Sequence, residues 1–507
     1  MSVYWDSQFG VLRLLGRLLV AVLIYLASRS IYRVWFHPLS RFPGPKLLAV
    51  TAFPATYAHN IQGTWVRRVS KLHRKYGPVV RIGPNHLSFD GSIGWQDVFG
   101  LRTGGRAEYA KPPPIFKKHA AGLLHAPHDS HRRQRRLLNH AFSDAALKEQ
   151  QGVILRYVDM LLDRLTDRAD EEMVNVVDWF SYTTFDIIGD LAFSESFSCL
   201  ENDGYHPWVL KIFKAIRGSN LMRFANAFPI IGWLIIQVGG RVMVSTTKTI
   251  LSNSGDVAQA RLAREGHFSM GHRDFMSYML RSTRDGEKGM TEQETLINAP
   301  VLILAGSVTT ATALSGFFFY LSESPRAYHR LVQEIRSAFV SEAEIDLNST
   351  ASLQYLQACI SETLRVYPPA AGIGPRICPG DRIGHEYVPA GTFVSVHPWA
   401  TFQNPGNFVE PEHFLPERWL PATHQDHDGR FAADNKAAFK PFSYGPRDCL
   451  GKNLALAEIR LIVCRILFRL DFELAYNQSS WHDDQRVLGL WDKGPLHVNF
   501  RRRDFEA

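Results

Sequence analysis

Cysteine is scarce in this chain and never closely paired. Cys199, Cys359, Cys378, Cys449 and Cys464 are the only five in 507 residues, and no Cys-x-x-Cys occurs. An odd, dispersed set argues against a disulfide framework or a zinc site and fits a reducing compartment. A small buried hydrophobe is reason enough for four of the five. There is no Gly-rich dinucleotide or flavin motif and no internal repeat, and no low-complexity tract follows residue 47. Basic residues exceed acidic ones, 57 to 49, for a net charge of +8. They are scattered rather than gathered in a stripe, which disfavours nucleic acid and leaves an acidic partner or an anionic membrane surface. Long hydrophobic runs are lacking too: Leu18–Ser28 is about eleven residues, short of the ~20 that span a bilayer.

That short run has flanks that extend it. Arg13, Arg17, Arg29 and Arg33 surround it and can snorkel, and Tyr25, Tyr32 and Trp35 suit an interface. No small-residue cleavage site follows closely, so an uncleaved anchor over residues 1–36 is preferred to a secretory signal, with a helix lying in the interface next. Charge on both flanks leaves the orientation open. The segment His37–Leu47, with three prolines and a glycine, stops the helix and makes a stiff hinge. Residues 37–507 then read as one large domain.

Within that domain, apolar residues at a 3.6 period predict helices over Val66–Tyr76, Ser130–Ala141, Ser143–Asp167 and Asn175–Leu191. Short strand-like runs fall at Val79–Ile82, His86–Phe89, Arg382–Ile383 and Thr392–Val396. The fold class is therefore mainly α with small β-sheets. Ile212–Val244 is apolar, and two readings stand for it: a core helix pair, or a surface that dips into a membrane near a substrate entrance.

The chemistry concentrates in FSYGPRDCLG, Phe442–Gly451. Gly445 and Gly451 let backbone bend tightly and approach a flat ligand, Arg447 offers a fixed charge for a carboxylate, and Phe442 can shield a sulfur. The run KNLALAEIRLIVCRILFRL begins just beyond Cys449, placing the thiol near a helix N-terminus, where a thiolate is stabilised. One cysteine without a nearby histidine or second thiol suits a single axial bond to a metal held by a macrocycle. Phe442, Gly445, Arg447, Cys449 and Gly451 resemble the heme-binding signature of the cytochromes P450, and the resemblance runs from about His37 to Phe500.

The resemblance implies a cytochrome P450 fold, heme b, and an iron bond from Cys449. It implies a buried triad of Glu362, Arg365 and Arg418, the last followed by Trp419, and propionate partners His131, Arg135, Arg376 and Arg447. By themselves Glu362 and Arg365 would read as a surface ion pair, and His131–Arg136 as a solvated basic face. Val301–Gly316 reads as a nearly uncharged helix, which Pro300 should bend or begin. Ala305 and Gly306 are small enough to admit a ligand; Thr309 and Thr310 either bond back to the preceding turn or, as the resemblance implies, serve proton delivery to oxygen. One departure stands out. Val308 occupies the position where the family usually carries an acid, and an apolar side chain cannot relay a proton.

The implied activity is monooxygenation of a hydrophobic small molecule, with electrons from NADPH through a separate reductase. Ala370–Ile373, Leu302, Ala305 and Leu488–Trp491 are the expected substrate-facing positions, all apolar. The anchor, the FPGPK hinge and PERW resemble microsomal enzymes of filamentous-fungal secondary metabolism, implying a terpenoid, polyketide or alkaloid substrate. The expected setting is a monomer on the endoplasmic reticulum membrane, with its catalytic domain facing the cytosol. Desaturation, coupling or rearrangement without net hydroxylation is the alternative, and a non-catalytic heme-binding protein the second.

Overall fold

The computed structural model describes residues 2–114, 117–235, 237, 274–280 and 289–503. The principal helices are α1 (Ser2–Ile31), α2 (Trp65–Tyr76), α3 (His128–Asn139), α4 (Asp144–Arg168) and α5 (Val176–Phe193). They continue with α6 (Pro207–Ala227), α7 (Pro229–Ile235), α8 (Glu292–Ser322), α9 (Gln354–Val366) and α10 (Lys452–Arg469). The periodicity-based helices are all present, with ends displaced by a residue or two, as fraying termini allow. The small sheets lie at the margins. In the largest, β1 (Val79–Gly83) and β2 (His86–Phe89) are antiparallel and β2 runs parallel to Phe393–Val396.

The helix α8 forms the spine. It is long and apolar enough to cross a bilayer, but 72% of that stretch is buried, so it is core. Thr291 and Glu294 form a capping box that starts it well before the expected Val301, and Pro300 lies within it rather than at its beginning. Gly306 lets α8 close on α5: a Cβ there would meet Cδ1 of Ile188 at 2.7 Å.

At the other extreme, Leu12–Phe36 is helical over 25 residues with a mean hydropathy of 1.8 and none of it buried. At 1.5 Å per residue it reaches about 37 Å, more than the ~30 Å hydrocarbon core, so the short uninterrupted run understated it. The proline segment behind it is not a free tether. Leu39 and Phe42 are buried in a small core under the first sheet, and the Arg81 amide donates to Pro43 O at 2.7 Å. Arg33 Nη1 donates to Val50 O at 2.6 Å and Arg81 Nη1 to Arg33 O at 2.8 Å, tying the helix base to the sheet.

Over its described residues Ile212–Val244 is part buried and part exposed, and 236 and 238–244 lie outside them. Ile212, Ala215 and Phe224 are buried, whereas Ile230, Trp233 and Leu234 are exposed. Phe53 stacks edge-on against Phe224 and Phe228, bringing this surface beside the segment that follows the anchor.

Candidate functional site

Cys449 sits in a loop held from three directions. Its amide donates to Phe442 O at 2.9 Å, and the turn Gly445–Arg447 precedes it. Gly445 has φ +79°, and the Phe99 carbonyl occupies the space a Cβ would need, so glycine is required twice over. Gly451 caps α10. Arg135 Nη1 and Nη2 donate to Asp448 O and Oδ1 at 2.6 and 2.7 Å, and its Nε to Asn139 Oδ1 at 3.0 Å. Arg135, expected at a propionate, thus has each guanidinium nitrogen engaged and clamps the residue before the cysteine.

Cys449 remains accessible on one side while protein surrounds the rest. Burial pushes its thiol pKa up, and the Gly451 amide and Arg135 only partly offset this. The helix N-terminus alone does not ionise it. A metal cation at the sulfur would displace the proton.

Beside the loop lies a cluster of cations around one carboxylate. Glu108 accepts from Arg447 Nε at 2.6 Å and contacts His128 Nδ1 at 2.9 Å. Around it stand Arg376, Lys111, His125 and His131. Burial first, then the neighbouring cations, lowers Lys111 to about 7, His131 and His125 to about 4, and Arg376 to about 10. Arg376 Nη1 and Arg447 Nη1 are buried donors without a partner. Arg376, Arg447, Glu108 and Phe99 line part of a cavity of about 280 Å³. Unanswered positive charge and orphaned donors ask for anionic acceptors. A flat group bearing two carboxylates, bonded through Cys449, meets that demand; heme fits the residues present. Lys111, His125 and Glu108 were missed in the sequence because a loop without periodicity carries them.

In the protein interior, Glu362, Arg365 and Arg418 meet with no side-chain exposure. Arg365 Nε and Nη2 pair with Glu362 at 2.9 and 2.8 Å; Arg418 Nε reaches it at 3.1 Å and Trp419 Nε1 at 2.8 Å. A fourth member was not foreseen: Asp434 accepts from Arg418 Nη1 at 2.5 Å. Two arginines and two acids make the buried group neutral.

On α8, Ala305 and Thr309 share an open face, Thr309 Oγ1 donating to Ala305 O at 2.5 Å. Thr310 is 2% exposed and bonds back to Gly306 O at 3.0 Å. Gly306 itself faces Ile188, so its missing Cβ serves helix packing rather than a ligand. Val308 is buried in the core. Among the expected substrate-facing residues, Leu302, Ile373, Leu488 and Leu490 are partly open. Trp491 is instead packed on Tyr367, its Nε1 donating to Pro368 O at 2.8 Å.

Comparison with known proteins agrees with this geometry. The cytochrome P450 family model matches residues 43–500. A cytochrome P450 monooxygenase of Aspergillus oryzae is 41% identical over 483 residues, covering 94% of each chain. The trichothecene C-15 hydroxylase of Fusarium sporotrichioides is 37% identical over 94% of this chain and 96% of its own. The averantin hydroxylase of Aspergillus parasiticus is 36% identical over 99% of both.

Proposed function

The chain belongs to the cytochrome P450 family as a monooxygenase with a heme iron cofactor, and from that premise we propose that it hydroxylates an apolar secondary-metabolism intermediate at a membrane surface. The observation that carries the reading is the pairing of an accessible Cys449 with orphaned donors on Arg376 and Arg447. Cys449 would hold the heme iron, and the group would supply oxidising power for an unactivated C–H bond, which an electron-rich sulfur ligand favours.

The chain's own residues do the rest. Arg447, Arg376, His131 and Lys111 would hold the two propionates by charge-assisted hydrogen bonds, and Arg135 would fix the loop through Asp448. Ala305 leaves room on the reactive face, and Thr309 holds a hydroxyl there that can pass a proton through water. Leu302, Ile373, Leu488 and Leu490 would exclude water and favour a hydrophobic substrate of the terpenoid, polyketide or alkaloid kind.

Electrons would come from NADPH through a separate flavoprotein reductase. The exposed helix Leu12–Phe36, together with the exposed Ile230 and Trp233, supports attachment to a membrane; the reading adds a monomer with its catalytic domain on the cytosolic side of the endoplasmic reticulum.

The test is spectral first. The reduced, carbon-monoxide-treated protein should show a Soret band near ~450 nm, the mark of thiolate ligation, and Cys449→Ser should lose it. A heme-loaded, folded wild type without that band, or a serine variant that keeps it, overturns the reading. Product mass then decides the reaction: gain of one oxygen for hydroxylation, loss of two hydrogens for desaturation.

A further inference from the structure

Between Thr295 and Ser322 the helix α8 carries no acid, lysine, arginine or histidine. Val308 stands directly before Thr309, so the chain gives that hydroxyl no ionisable neighbour of its own. A titratable group reaches this stretch from elsewhere. The hairpin of β3 (Arg486–Leu488) and β4 (Leu490–Asp492) ends next to Lys493, whose Nζ donates to Thr312 Oγ1 at 2.6 Å. Thr312 is 1% exposed and donates in turn to Val308 O at 2.6 Å. Thr312 and Val308 are one turn apart, so the ammonium lies on the helix face where the expected acid is missing.

The surroundings leave this ammonium unpaired. Asp178 on α5 is the carboxylate whose field it feels, but Asn175 Nδ2 and Tyr205 OH hold Asp178 at 2.5 and 2.8 Å. Asp492 is taken by Arg217 of α6 and by Arg486, at 2.8 and 2.9 Å. Among the described residues Thr312 is the hydrogen-bond partner of Lys493, and no carboxylate lies within ion-pair distance. A buried ammonium without a counter-ion is costly, and groups so perturbed concentrate at functional sites.

We infer that Lys493, acting through Thr312, is the proton-holding group of the α8 hydroxyls, in place of the acid that Val308 replaces. Resting on the monooxygenase reading, this assigns the proton supply of the same site. Burial, partly offset by Asp178, lowers the amine to about 8, so both its forms are accessible near neutral pH. The ammonium gives a proton to Thr312 Oγ1 while that hydroxyl swings its own proton from Val308 O to water on the Thr309 face, and the amine left behind regains a proton from solvent. Insertion and peroxide release each consume one O2, two electrons and two protons. Insertion leaves one oxygen atom in product and the other in water, whereas peroxide keeps both together. Where the second proton lands therefore sets the partition.

The experiment compares heme-loaded wild type with Lys493→Arg, Lys493→Met and Thr312→Val, each supplied with reductase and an apolar ligand that shifts the Soret band. Peroxide released per NADPH is read from pH 6.5 to 9.5. Wild type should leak more as pH rises through about 8, while Lys493→Arg, which keeps charge but cannot release a proton, should leak about threefold more at neutral pH and lose that dependence. Thr312→Val should leak more at every pH. Independently of turnover, trace acetylation by acetic anhydride should give Lys493 a midpoint near 8, below that of the surface lysines. If Lys493→Met does not fold, the arginine and valine variants decide. Wild-type leakage and pH dependence in Lys493→Arg, or an ordinary lysine midpoint, overturns the inference. Those results with an intact ~450 nm band sink it alone, whereas a wild type lacking the band sinks the monooxygenase reading as well.

Discussion

Arg418 lies between two carboxylates, Glu362 and Asp434, and none of the three side chains is exposed. Its remaining donors reach Val409 O at 2.9 Å and Glu410 O at 3.4 Å, so every charge in the group is matched inside the protein. Burial pushes the Glu362 carboxyl up, and Arg365 and Arg418 more than offset this and hold it below its ordinary value. Removing one cation leaves a buried negative charge without a counter-ion. Arg418→Ala should therefore cost about 3–5 kcal/mol of folding stability, read from denaturant unfolding. The heme-loaded fraction should fall with it, because an unfolded chain does not hold heme. A loss under about 1 kcal/mol would mean that water enters and solvates Asp434, the carboxylate that Arg418 alone neutralises.

Among elements, the first sheet carries a pH liability. His73 Nε2 meets Ser88 Oγ at 2.7 Å, Ser88 Oγ meets His397 Nδ1 at 3.2 Å, and His86 Nε2 meets Ser395 Oγ at 2.7 Å. Burial holds all three rings below their unfolded pKa of about 6.5, His86 at about 4. The unfolded chain takes up these protons first, so the sheet's contribution is complete above about 6.5 and declines as pH falls toward about 4. The urea midpoint should drop between pH 7 and pH 5, before most carboxylates titrate, and His86→Gln should flatten part of that slope. Such a cluster was hidden in the sequence because its members come from three separate segments. The helices were legible because each buries one face at a regular interval, and the thiolate loop because its residues are contiguous. The capping box of α8 was also there to be read, as Thr291 and Glu294. Asp434, Lys111 and Lys493 were not: single polar residues in irregular chain acquire meaning only when folding brings a partner alongside.

At the scale of the whole molecule, the longest run of exposed apolar residues among those described is the first helix. The anchor helix, Leu47, Phe53, Ile230 and Trp233 are exposed, whereas the other long apolar helix is core. A chain beginning at residue 37 should remain folded, since Leu39 and Phe42 still fill their core, and should lose most but not all of its affinity for vesicles. Flotation in high salt measures this, because apolar attachment survives salt that screens the +8 charge. Complete release on truncation would mean that Ile230 and Trp233 do not touch lipid.

The hydrogen bonds joining Arg33, Val50 and Arg81 leave little play between mast and hull. A lean of the first helix is passed on to the domain behind it, so a thicker or thinner lipid leaflet around that helix would raise, lower or tip what it carries.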